Sequence, residues 1–202
     1  MRKLRSSRSI ALMTALAAVL FGVVTTAGVG QSESSSGRFA HAVVKDAAGN
    51  TLGTVSLFSA GGKLAVSGRL VGIAAGFHGF HVHAVGICDP RATDSTGAVV
   101  PFASAGPHLD SGGHTHGAHS GDLPSLLVTE DGTTTTATAT DRLSSALLFD
   151  TDRSAIIVHA GPDNFANIPA RYSAAGVPGP DAATLGTGDS GARFACGVLV
   201  RG

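Results

Sequence analysis

The sequence predicts an all-β protein on three observations. Helical periodicity is scarce along the body of the chain, short β-branched or alternating apolar runs recur, and clusters of Gly, Asp and Asn separate them. Arg38 to Lys45 (RFAHAVVK) is the first strand, and DAAGN at Asp46 to Asn50 is the turn after it. Thr51 to Phe58 and Leu64 to Val71 follow, joined by AGGK at Ala60 to Lys63. The later strands are Phe77 to Val85, Leu123 to Glu130, Thr133 to Thr140, Ser154 to His159 and Ala192 to Val200. Eight such strands must hide their edges, either by closing into a barrel or by pairing as a sandwich.

Composition narrows the function classes. The chain has 202 residues, 43% hydrophobic and 14% charged, which suits one medium-sized globular domain. From Gly28 onward ten Lys and Arg face fourteen Asp and Glu, a net −4. A nucleic-acid-binding body needs a basic surface, and with no Trp and a single Tyr, Tyr172, stacking platforms for bases are scarce.

Arg2, Lys3, Arg5 and Arg8 precede an almost uninterrupted apolar run from Ile10 to Val24, then small residues. This reads as a secretory signal peptide over residues 1–30, with cleavage after Ala27 or Gly30. At about 1.5 Å per residue the run falls short of a hydrocarbon core of roughly 30 Å, which disfavours the alternative of a permanent anchor. Membrane contact is thus expected only through the signal segment. Residues 31–37, rich in Ser, form a flexible linker, and 38–202 the working domain. Export to the periplasm, cell envelope or medium lets thiols persist as a disulfide, and Cys88 and Cys196 are the one pair available. Closing so long a loop stabilises by about 4.7 kcal/mol on the chain-entropy model. Two buried free thiols are the alternative.

Two connections, Gly86 to about Gly121 and Ala160 to about Gly191, are too long for a compact domain unless they carry a task. Nine histidines are the oddity of the composition, and several sit there. In GFHGFHVH, residues 76–83, His81 and His83 are two apart in a strand and share a face, half of a metal site. In residues 106–122, GPHLDSGGHTHGAHSGD, His108, His114, His116, His119 and Asp122 crowd together, and His159 ends the apolar strand IIVH. One such histidine is usually structural, but seven on strand ends and one loop point to metal.

These residues resemble the secreted bacterial copper/zinc superoxide dismutases, through GFHGFHVH, GPH with the later HSGD, IIVHAGPDNFANIPARY at 156–172 and TGDSGARFACGV at 187–198. The resemblance implies an eight-stranded antiparallel Greek-key β-barrel, an immunoglobulin-like sandwich, with two long functional loops. It implies copper held by His81, His83, His108 and His159, and zinc held by His108, His116, His119 and Asp122. The donor chemistry agrees: an all-imidazole set suits Cu(II), and three imidazoles with a carboxylate suit Zn(II). Asp163 matches the carboxylate that would hydrogen-bond His81 and His116, although GPDN also reads as a turn. His116 and His119 are only three apart, a shorter spacing than the family's usual loop, and His114 offers an alternative register. His78 and His41 are assigned structural roles.

The implied reaction is dismutation of superoxide to dioxygen and hydrogen peroxide, with His108 as the proton-handling bridge and Arg193 as the residue that orients the anion. Arg171 and Arg193 are expected to offset the negative body charge during approach of the substrate. A non-catalytic copper-binding or copper-trafficking protein on the same barrel is the alternative. Such a protein often loses the zinc set or the arginine, and both are present here. Monomer and homodimer are equally compatible with the pattern.

Overall fold

The computed structural model describes residues 37–202, and the expected signal peptide and nearly all of the linker lie outside the described residues. The strands are β1 (Arg38–Asp46), β2 (Thr51–Ala60), β3 (Lys63–Val71), β4 (Gly76–His78), β5 (Phe80–His83), β6 (Leu126–Val128), β7 (Thr133–Thr140), β8 (Ala155–His159), β9 (Ser173–Ala174), β10 (Val177–Pro178), β11 (Arg193–Val198) and β12 (Val200–Arg201). Two short α-helices, α1 (Ser145–Leu148) and α2 (Ala182–Thr187), and a 3-10 turn at Ala103–Ala105 complete them.

One antiparallel sheet runs in the order β5, β8, β11, β1, β2, β3, β7, with β12 also on β1. Pairing of β3 with β7, and of β1 with β11, carries the chain across the molecule in Greek-key fashion. The pair β4–β6 links the two ends of this sheet, because β4 leads into β5 and β6 turns into β7 through Thr129 to Thr133. Curling the sheet in this way covers its edges.

Several boundaries differ from the sequence-based strands. The run Phe77 to Val85 divides at Gly79, whose N–H and carbonyl go to Gly161 and His159. A Cβ at Gly79 would lie 2.6 Å from the Cβ of Ser190, so glycine is what lets the second long loop approach the strand here. The last strand divides at Leu199, which is buried and whose N–H turns to Ser154. The β9–β10 hairpin and both helices lie in stretches expected to be irregular.

Strand β8 decides where the site can form, because all five of its residues are buried. Ile156 and Val158 point into the main core with Phe80, Val82, Leu126 and Leu148. Ala155 and Ile157 point the other way, into a second apolar cluster with Phe102, Ala105 and Cys196. The loop after β5 is therefore packed against the outside of the barrel, and a strand buried on both faces reads as a continuous apolar run. The cross-strand pairs are Phe80 with Val158, His81 with Ile157, Val82 with Ile156 and His83 with Ala155. Period-two alternation then puts His81, His83 and His159 on the outer face, beneath the loops. The Cys88–Cys196 disulfide, with Cα atoms 5.7 Å apart, fastens that loop to β11.

Candidate metal centre

The outer face of β5 and β8 presents His81, His83 and His159, and the first long loop brings His108 alongside, with a bridge between His83 and His108. The histidine rings are oriented by acceptors, which fixes their protons. A carbonyl can only accept, so His83 Nδ1–H donates to Gly106 at 2.8 Å and His159 Nδ1–H donates to Gly191 at 3.0 Å. His81 Nε2–H and His116 Nε2–H donate to the two oxygens of Asp163, each at 2.7 Å. In the His81, His83 and His159 rings the other nitrogen is left with its lone pair free, whereas His116 Nδ1 lies 3.3 Å from Asp122 Oδ1.

Among the described residues seven buried ring nitrogens have no hydrogen-bond partner; His41 Nδ1 lies apart on β1, and the other six, His81 Nδ1, His83 Nε2, His108 Nε2, His116 Nδ1, His119 Nδ1 and His159 Nε2, lie together here. A buried polar atom left unsatisfied costs about 1–3 kcal/mol, so six in one place fit a centre that binds cations. Donor atoms of His81, His83, His108 and His159 all lie within 4.8 Å of one another. A second set of the same span joins His81, His108, His116 and Asp122. His119 lies outside this second set, yet its Nδ1 is 3.3 Å from Asp122 Oδ2 and otherwise unpartnered. Asp122 also accepts from His108 Nδ1 at 2.9 Å and from the backbone N–H groups of Gly117 and His119.

His114 goes elsewhere. Its Nδ1 pairs with Asp110 at 2.8 Å, and its side chain is 50% exposed. His78 sends its two ring nitrogens to the carbonyls of His159 and Ala74. His41 lies on β1, in the groove beside the disulfide and away from the metal centre.

Burial, with repulsion from His108 and Arg193, holds the His83 pKa well below the usual histidine value. Burial likewise brings His108 to about 4 and His159 to about 3. His116 differs: burial opposes its charge, but Asp122 and Asp163 outweigh that and push it up to about 9. Asp122 and Asp163 are held well below the ordinary carboxylate range, because their hydrogen bonds to these histidines overcome the opposing effect of burial. Three rings are thus neutral at pH 7, ready to act as donors.

A cavity of about 610 Å³ opens onto His83, His108 and His159, with Thr187, Asp189 and Arg193 also in its wall. Arg193 pairs with His159 across β11 and β8. Its guanidinium donates to the carbonyls of Phe102 and Gly106, and no carboxylate lies within ion-pair distance of it among the described residues. The Arg193 charge is therefore uncompensated beside the histidines. Arg171 lies over the ring of Tyr172, 5.0 Å from its centroid, and is absent from the cavity wall.

The model of the copper/zinc superoxide dismutase family matches residues 51–199. The chain belongs to that family. Among relatives, the superoxide dismutase [Cu-Zn] of Mycolicibacterium paratuberculosis is 50% identical over 133 residues, 64% of this chain and 59% of that protein. The match thus spans less than two thirds of that relative's length. The superoxide dismutase [Cu-Zn] of Escherichia coli K12 is 35% identical over 188 residues, 90% of this chain and 96% of that protein. The solved Cu/Zn superoxide dismutase from Brucella abortus superposes with a TM-score of 0.58 at 32% identity, covering 79% of this chain and 98% of that one.

For this copper/zinc superoxide dismutase family member, some contributors to the site have no sequence signal. The carbonyls of Phe102, Gly106 and Gly191 orient Arg193, His83 and His159, and any residue type supplies a carbonyl. Gly188 had a signal in TGD: it sits at φ +61°, and a Cβ there would collide with Asp163 Oδ1 and His116 Nε2. Only glycine leaves room for the bridge between those two residues.

Proposed function

We propose that this chain is a copper- and zinc-dependent superoxide dismutase, converting two superoxide anions and two protons into dioxygen and hydrogen peroxide. The observation that carries the reading is the set of six buried imidazole nitrogens without a hydrogen-bond partner clustered about His108, beside a cavity where Arg193 has no carboxylate within ion-pair distance among the described residues. His81 Nδ1, His83 Nε2, His108 Nε2 and His159 Nε2 would hold copper. His108 Nδ1, His116 Nδ1, His119 Nδ1 and Asp122 would hold zinc. His119 is the better fourth zinc donor than His81, because Asp163 already takes His81 Nε2–H and leaves only Nδ1, which belongs to the first set.

When bound, copper supplies one-electron chemistry and zinc a fixed positive charge. The residues of the chain supply the rest. Arg193, pinned by two carbonyls, offers its free charge to a small anion in the cavity and orients it beside His83 and His159. His108 stands between the two donor sets, so one of its nitrogens can take a proton and return it to a reduced substrate. Asp163 holds the His81 and His116 rings from behind.

The test is to load the protein with copper and zinc and measure both metals and the rate of superoxide removal. Stoichiometric metal with no dismutation would favour a copper-binding role on the same barrel. The reading extends to export, supported by the basic start and apolar run of residues 1–24. Intact mass of the extracytoplasmic protein checks this, with a chain beginning near Gly28 expected.

A further inference from the structure

A second cavity, of about 420 Å³, reaches Asp122 and shares no lining residue with the one that holds Arg193. Its wall includes Gly117, Asp141, Arg142 and Phe165. The Asp122 side chain itself is only 2% exposed, so the cavity is closed at its inner end. Phe165 is the aromatic residue of that wall. Its ring stacks on His116, with planes 19° apart and centroids 6.3 Å apart. Its N–H donates to Asp163 Oδ1 at 2.7 Å, the oxygen that also accepts from His116. Its carbonyl lies against Gly117, where a Cβ would come within 2.7 Å, and the N–H of Gly117 donates to Asp122.

Phe165 holds this place at φ +54°, a left-handed backbone that costs a bulky residue on the order of 1–3 kcal/mol and persists only where the surroundings impose it. Phe165 is 41% exposed and His116, on which its ring stacks, is 4% exposed, so the ring lies at the boundary between solvent and His116. Across the same cavity Arg142 Nη1 donates to the carbonyl of Gly117 at 3.1 Å, tying the histidine-rich loop to the end of β7.

We infer that Phe165 is a positioning residue for zinc, and that its ring closes a route for zinc exchange separate from the cavity that serves copper and substrate. The inference rests on the zinc assignment of His116 and Asp122 above. Loss of the ring removes the stack on His116, leaving Asp163 as its remaining hold, and opens the Arg142 side of the site. His83 and His159, oriented by Gly106 and Gly191 on the copper side, are left as they were.

The experiment follows transfer of zinc and of copper from the fully loaded, full-length mature protein to a chromophoric chelator. Phe165→Ala is expected to release zinc about tenfold faster or more, in line with the loss of a ligand-orienting contact, and to release copper at the parental rate. Phe165→Tyr keeps the stack and restores slow zinc release. Phe165→Gly relieves the left-handed backbone while removing the ring, and is expected to behave as Phe165→Ala. Phe77→Ala removes an exposed aromatic on β4 and should leave both rates unchanged. Unchanged zinc release in Phe165→Ala, or equal acceleration of both metals, would overturn the inference. A parental protein that takes up copper but no zinc would instead overturn the zinc assignment and the inference with it.

Discussion

Asp163 has no contact with the proposed metal positions except through two rings, so replacing it isolates what orientation contributes. Its carboxylate accepts from His81 Nε2–H and His116 Nε2–H at 2.7 Å each, and from the N–H of Phe165. In Asp163→Ala both ring N–H groups stay buried with no acceptor. At about 1–3 kcal/mol for each, the metal-free fold loses about 2–6 kcal/mol. For a domain of this size that lowers Tm by at least about 4 °C. Zinc binding should weaken about 10- to 100-fold, because His116 is no longer held with Nδ1 toward Asp122. Asp163→Asn should fall between, since its single amide oxygen serves one ring and its NH2 confronts the N–H of the other. Thermal unfolding of the metal-free proteins and zinc competition with a chromophoric chelator measure the two effects. If Asp163→Ala keeps Tm within about 1 °C and zinc affinity within a factor of about two, the hydrogen bonds do not orient the rings.

Arg193→Ala should lower the rate of superoxide removal with copper and zinc contents unchanged, and should flatten the fall in rate with added salt, as screening acts on long-range attraction. Enzymes of this family are a standing example of such steering. Arg171→Ala should have little effect on either, because Arg171 is stacked on Tyr172 outside the cavity wall; stopped-flow rates across a salt series decide both. Zinc uptake by the metal-free protein should release about one proton at pH 7 from His116, whose pKa is about 9, so apparent affinity rises about tenfold per pH unit and levels off above pH 9. His108, at about 4, contributes no proton there, and calorimetry in buffers of different ionisation enthalpy counts the protons. Gly188→Ala should loosen zinc more than copper, since the new methyl displaces Asp163 Oδ1 and His116 Nε2 while His83 and His159 keep their carbonyl acceptors; metal analysis after dialysis reads the outcome.

The sequence by itself determined the β class and the donor inventory. Turn residues such as DAAGN end strands through local backbone preferences, and the two-residue spacing of His81 and His83 gives a shared face in any strand. The short helix α2 was also legible in retrospect, with Asp181 capping Thr184 N–H and Gly188 in the left-handed position after the last turn. Strand ends were harder, because the breaks at Gly79 and Leu199 come from Ser190 and Ser154, residues remote in the chain.

Which histidines face one another was decided only by the tertiary structure. His114 and His116 are two residues apart with the same chemistry, and only His114 has a carboxylate, Asp110, that binds it from four residues earlier. The fold sends one to Asp110 at the surface and the other to Asp163, because the second long loop closes on the first at Phe165 and Gly188. The carbonyls that aim His83, His159 and Arg193 are likewise backbone atoms, which every residue carries and no sequence pattern marks. Donor identity is a property of single residues, whereas donor direction depends on contacts between segments brought together only when the barrel closes.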